Sequence, residues 1–296
     1  MCEEMADITI SGGSINPPKN GTIALIDADT IIFSACTTLE YIEDLLPREM
    51  YSEDEWADIV SKDGYCEADN CLYDINLDEA IKHCEDKIQT ILDKSGCIDY
   101  ELHFTNGRNN FRYTVEPSYK SNRSDFRPPQ GLYSLKMAMV DNPDINAYIH
   151  TEYEADDIVV ALKRDNPDKY TLVAVDKDVL YSLEGRHFNY YTSVKYNIDM
   201  KYIDVSADKA LKHHYIQVLT GDPTDGIIGL HGIGPKKAEK LLKGLTTHSD
   251  LWDAVVKAYE DNGRDMIDAL INMRLVSMHQ LHLVDGKYKV VLWKPL

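Results

Sequence analysis

Apolar residues recur along this chain in two rhythms. Short unbroken runs with β-branched members, TIALID (22–27), YELHFTNG (100–107) and YTLVAVDKD (170–178), give way to polar or acidic residues and read as buried strands. Between them the spacing turns helical: Leu77, Ile81, Cys84, Ile88 and Ile91 follow at intervals of 4, 3, 4 and 3, the signature of one buried helix face. Strands alternating with helices predict an α/β domain built on a parallel sheet. Residues 1–20, running into SGGSINPPKNG, lack either rhythm and are expected to form a flexible tail. Beyond about residue 205 the texture changes to short helices separated by glycines, with no β-α alternation until KYKVVLW near the end. The expected organisation is a first domain over 21–205 and a second, mainly helical module over 206–296.

The 296 residues are 44% hydrophobic and 27% charged, values of an ordinary globular protein. No apolar run approaches the roughly 18 residues that span a bilayer, and the opening MCEEMADITI lacks a basic and then apolar leader. No membrane association and a cytoplasmic location are expected, in the host cytoplasm if the chain is phage-encoded. The six cysteines form no CxxC pair and read as reduced thiols.

A net charge of −19 argues at first against a polyanionic partner. Its distribution changes that picture, because residues 40–74 alone carry 12 acids against Arg48 and Lys62. Residues 106–136 are locally basic, with Arg108, Arg112, Lys120, Arg123, Arg127 and Lys136 against Glu116 and Asp125, and residues 231–243 hold four lysines against Glu239. Screening over about 8 Å makes these local fields the ones that matter at contact range.

Carboxylates fall where an open parallel sheet binds ligands, outside the carboxyl ends of its strands. Asp27 and Asp29 end the first run, Asp176 and Asp178 follow TLVAV, and EYEADD leads into the apolar helix ADDIVVALKR. On that helix Glu154 and Asp157 share a face by spacing, whereas Asp156 joins Glu154 only if Glu154 sits at or before the cap; the sequence leaves both arrangements open. A lone DxD is ordinarily a turn, and the Asp222 and Asp225 of GDPTDG alone would be a capped Pro/Gly turn. Joint occurrence at strand ends points further. Clustered carboxylates repel one another unless cations neutralise them, and oxygen donors without Cys or His select Mg²⁺ or Mn²⁺. Two such ions form the usual clamp for attack on a phosphodiester.

GIGPKKAEKLL (232–242) reads as a Gly-rich hairpin entering a lysine-bearing helix, with Pro235 in the first turn. Its likeness to a helix-hairpin-helix, which grips the sugar-phosphate backbone without reading bases, suggests a nucleic-acid partner.

Taken in order, LIDAD, YKSNR, EADD, VDKD, TGDPTDG and HGIGPKKAEKLL resemble the flap endonuclease and 5′→3′ exonuclease superfamily, and among its members the stand-alone 5′→3′ exonucleases of tailed bacteriophages, over roughly residues 21–245. The resemblance implies a PIN-like nuclease domain with a helical arch and a helix-hairpin-helix that holds duplex DNA, often around K⁺. It implies two Mg²⁺ or Mn²⁺ ions held by Asp27, Glu154, Asp156, Asp157, Asp176, Asp178, Asp222 and Asp225, with Asp29 as an added candidate. Lys120 and Arg123 match the basic pair that contacts the scissile phosphate. Gly232, Gly234, Lys236, Lys237 and Lys240 match the backbone-binding hairpin, and Arg108 and Arg112 of the basic stretch are expected to contact DNA as well. The implied activity is hydrolysis at DNA 5′ ends or flaps, extending to RNA in RNA–DNA hybrids, in phage-type DNA replication or degradation, by a monomer.

One departure stands out: where many members carry an acid after the strand matching HFTNG, this chain has Asn106, a neutral donor candidate. The stretch between YKSNR and EADD is also short for a threading arch, which favours exonucleolytic action. Two competing readings are a DNA-binding protein with a structural metal site, against which the complete acid set argues, and a PIN-type single-strand RNA nuclease, which has no need of the hairpin module.

Overall fold

The computed structural model describes residues 21–62, 64–107, 109–123 and 127–295; the expected tail lies outside the described residues, as does Arg108. Six strands make the central sheet, in the spatial order Ala147–His150, Asp99–Thr105, Ile23–Asp27, Tyr170–Ala174, Gly185–Asn189 and Lys201–Val205. All neighbours run parallel except the last pair. The expected α/β class with a parallel sheet is the observed one.

The sheet is apolar on both faces because helices cover both. In the strand Ile23–Asp27, Ala24 and Ile26 enter a core with Ile32, Cys36, Cys84, Ile88 and Met139, from helices Asp29–Leu39, Leu77–Ser95 and Leu132–Asp141. Leu25 points the other way, into a core with Val159, Leu172 and Leu180. A third core joins the helices Ala207–Thr220, Pro235–Leu241, His248–Asp261 and Met266–Val276, with Tyr119 inserted from the basic stretch.

Chain order and sheet order together locate a crevice. After Ile23–Asp27 the chain adds Asp99–Thr105 and Ala147–His150 on one side, then returns to place Tyr170–Ala174 on the other. The carboxyl ends of Ile23–Asp27 and Tyr170–Ala174 thus flank the point where the winding reverses, the standard ligand position of such sheets.

The acidic segment 40–74 is a small antiparallel sheet of Tyr41–Asp44, Cys71–Asp74 and Tyr65–Cys66 with the helix Glu53–Ser61. It is tied to the basic stretch by Arg127, which donates to both Glu40 oxygens at 2.7 and 2.8 Å and lies 3.6 Å over the Tyr73 ring. Residues 127–131, which lead to the helix Leu132–Asp141, hold no helix. The described cysteines are unpaired, and among the described residues no helix is long and apolar enough to cross a membrane.

Candidate active site

A cavity of about 880 Å³ opens at the crevice. Asp27, the last residue of its strand, is 8% exposed, and Asp29 opens the next helix, where the dipole favours an acid. Asp176 caps the helix Lys177–Tyr181, its carboxylate accepting from Asp178 N at 2.8 Å. Glu154 is the N-cap of Ala155–Asp165, so Asp156 and Glu154 both reach the cavity wall. This settles the alternative that spacing leaves open.

Asp222 and Asp225 arrive on a tight hairpin in which Gly221–Asp222 pairs with Ile227–Ile228. Gly221 has φ +72°, and a Cβ there would sit 2.3 Å from Gly229 N, so the backbones approach more closely than any side chain permits. The hairpin is sewn to the basic stretch: Lys120 N donates to Asp225 O at 3.0 Å, and Asn122 Nδ2 to Pro223 O at 2.8 Å. Lys120 adopts φ +57°, a left-handed conformation that costs a non-glycine residue of order 1–3 kcal/mol and that the surrounding bonds enforce.

Three bases hold three of the acids. Lys120 Nζ lies 2.7 Å from Glu154 Oε1, Arg123 Nη2 lies 2.6 Å from Asp225 Oδ1, and Lys136 Nζ lies 2.6 Å from Asp29 Oδ1. Burial opposes the charge on Glu154, but Arg112 and Lys120 outweigh it and keep its carboxyl below the usual range. Asp27, Asp156, Asp176 and Asp222 behave oppositely. Burial, then repulsion by Asp29 and Asp176, pushes Asp27 up to about 7. Burial and the charges of Glu154 and Asp27 raise Asp156 well above its ordinary value, and Asp176 and Asp222 are raised by burial and by Asp178 and Asp225 respectively.

These are oxygen donors whose full ionisation requires added positive charge, the donor set of a hard divalent cation. Among the described residues, no three Asp, Glu, His or Cys side chains form a ready cage. Asp27, Asp29, Glu154, Asp156, Asp176, Asp178, Asp222 and Asp225 instead line the cavity wall.

Two sequence expectations are corrected. Arg112, expected at DNA, is 2% exposed and donates to both Asp157 oxygens at 2.6 and 2.7 Å and to Leu275 O at 2.7 Å. Asp157, expected on metal, is fully buried, has both oxygens on Arg112, and accepts from Glu154 N at 3.1 Å. The pair fixes the helix start that presents Glu154 and Asp156, and it fastens the sheet to the C-terminal helices. Removing one partner strands a buried charge, so Arg112→Leu should cost about 3–5 kcal/mol, read as a lowered urea midpoint. A loss below about 1 kcal/mol would contradict this role.

Asn106 bonds through its backbone N to His150 O at 2.7 Å and is absent from the cavity wall, whereas Asp29 is on it and accepts from Thr105 N at 3.2 Å. Two participants escaped the sequence reading: Asn110, whose amide donates to Glu154 Oε1 at 3.0 Å, and Tyr119, whose hydroxyl donates to Glu154 at 3.2 Å and Asp225 at 2.8 Å. Adjacency to Lys120 was the only signal for Tyr119.

Beyond the crevice, Gly234 caps the helix Pro235–Leu241, with Pro235 at its first position. Lys236, Lys237 and Lys240 are exposed, and Gly232 has φ +72° with open space where a Cβ would stand.

No protein-family model matches the chain. It is 29% identical to DNA polymerase I of Rhizobium leguminosarum over 184 residues, 58% of this chain and 18% of that protein. It is 24% identical to the exonuclease of Escherichia phage T7 over 229 residues, 66% of this chain and 73% of the phage protein. The chain thus spans under a fifth of the length of the polymerase it matches. The solved structure of T5 5′-exonuclease with divalent zinc ions superposes with a TM-score of 0.56 at 15% identity, over 86% of this chain and 89% of that one. The fold is the one that 5′-exonuclease adopts, and the resemblance stated from the motifs holds in both sequence and structure.

Proposed function

We propose, from a fold and sequence similar to those of 5′→3′ exonucleases, that this chain is a divalent-metal-dependent hydrolase of phosphodiesters at the 5′ ends of DNA. The observation that carries the reading is the convergence of strand-end acids and the Lys120–Arg123 pair on one cavity. Asp27, Asp156, Asp176, Asp178 and Asp222 would hold Mg²⁺ or Mn²⁺. Such ions, when bound, activate water near neutral pH and stabilise a leaving oxygen.

The chain's own groups do the rest. Lys120 and Arg123, anchored through Glu154 and Asp225, supply positive charge where a phosphate enters. Burial disfavours the charge on Lys120, but Glu154 and then Asp225 outweigh it and keep the amine protonated above its ordinary range. The exposed lysines of Pro235–Leu241 hold the duplex by its backbone, without sequence preference. RNA in hybrids is a further proposed substrate, and replication or degradation of phage-type DNA a proposed setting.

Lys236→Ala combined with Lys237→Ala should weaken duplex binding evenly across sequences. Each lost phosphate contact should flatten the slope of log K against log salt by about 0.9. An unchanged slope would remove both lysines from the interface. The proposed activity is tested on labelled 5′-flap, nicked, blunt and RNA-hybrid duplexes, each with Mg²⁺ and with EDTA. Cleavage of at least one substrate in Mg²⁺ alone supports it, and binding without cleavage of any overturns it.

A further inference from the structure

Each carboxylate of the cavity that has a fixed direction has a partner holding it, and for Glu154, Asp225 and Asp29 that partner is a lysine or arginine. Asp178 differs. Its Oδ1 lies 3.0 Å from His213 Nε2, and among the described residues His213 is the only side chain that bonds this carboxylate. His213 sits in the second turn of the helix Ala207–Thr220, which belongs to the helical core, whereas Asp178 follows the central strand Tyr170–Ala174. The imidazole is only 14% exposed and is fixed edge-on to Tyr181, with ring centroids 5.5 Å apart. Tyr181 is in turn covered by Lys209, 3.6 Å over its ring. A ring held on one side by an aromatic face, and aimed by one nitrogen at a carboxylate, has little freedom to turn.

We infer that His213 is a positioning residue: its Nε2–H holds one Asp178 oxygen so that the other is presented to a divalent cation in the cavity. A carboxylate free to rotate must be ordered when it binds an ion, and an outer partner that orders it beforehand raises affinity, typically tenfold to a hundredfold. The inference rests on the proposed nuclease reading and deepens it. Because the holder comes from the first helix of the DNA-binding module, seating of that helix and the aim of a cavity ligand are one structural event.

The test is Mn²⁺ binding by titration calorimetry on the whole chain without DNA, a readout independent of turnover. His213→Leu removes the donor at similar bulk, and His213→Gln restores an N–H the same number of bonds from the backbone. Expected is a loss of about tenfold or more in Mn²⁺ affinity for His213→Leu and recovery to within about threefold for His213→Gln, with duplex affinity in EDTA unchanged for both. On an Asp178→Asn background, His213→Leu should add nothing further, because its effect runs through Asp178. Unchanged affinity in His213→Leu overturns the inference, as does equal loss in His213→Leu and His213→Gln or an additive double variant. If His213→Leu does not fold, His213→Phe, which keeps a ring against Tyr181 and removes the donor, takes its place under the same criteria. Failure of the unaltered chain to bind Mn²⁺ at all is a separate result, and it overturns the nuclease reading itself.

Discussion

Asp176→Asn should lower cleavage of a 5′-labelled duplex by at least about a thousandfold, or roughly 4 kcal/mol of barrier, while duplex binding in Ca²⁺ stays within a few-fold of the unaltered chain. The asymmetry follows from two roles on one side chain. As the cap of Lys177–Tyr181 it accepts a hydrogen bond from Asp178 N, and an asparagine oxygen does the same, so the local fold survives. On the cavity wall it would supply charge to a cation, which an amide does not. Burial and Asp178 already raise its carboxyl, so the site gains cohesion without it and loses only the attraction for a cation. Turnover within about tenfold of the unaltered chain would remove Asp176 from the chemistry.

The second large effect belongs to Lys120. Its amine touches Glu154 at 2.7 Å and Asp225 at 3.6 Å, and its strained backbone is held by Asp225 O. A group placed at that cost is expected to act on the reacting phosphate. Lys120→Met should lower the single-turnover rate by about a hundredfold to a thousandfold, the usual penalty for losing one charge-stabilising donor. Apparent affinity for DNA should change far less, because binding is proposed to rest on the exposed lysines of the hairpin. Glu154 keeps Arg112 at 3.5 Å and its bonds from Asn110 and Tyr119, so the fold should tolerate the change. A loss confined to binding, with the single-turnover rate intact, would place Lys120 among the DNA contacts and outside the chemistry.

The frame of this molecule is legible in the sequence because it depends on patterns that few residues decide. Apolar runs ending in Asp27 and Asp176 mark buried parallel strands, and their carboxyl ends mark the crevice whatever the side chains between them. The short strands Ala147–His150, Gly185–Asn189 and Lys201–Val205 were not legible, since four or five residues carry too little alternation to separate them from loop. The acidic segment 40–74 hid its small sheet for the same reason.

Within the site, residue type showed which side chains bear charge but not which of them face one another. Helical spacing allows Asp157 to stand with Glu154, and both do lie at the helix start. Arg112, 45 positions away, takes Asp157 out of the cavity and leaves Asp156 in it. Likewise Asn106 follows the strand where an acid was expected, yet Asp29 reaches across from the neighbouring strand end. Long-range pairing decides both cases, and no local pattern records it.

Cutting of DNA from its 5′ end by these converging acids and bases is checked by one time course on a blunt duplex labelled at either the 5′ or the 3′ end, in Mg²⁺ and in EDTA. In Mg²⁺ the 5′ label should leave at once in short products while the 3′-labelled strand shortens progressively, and neither should change in EDTA. Stable binding with both labels intact in Mg²⁺, or loss of the 3′ label first, would contradict it.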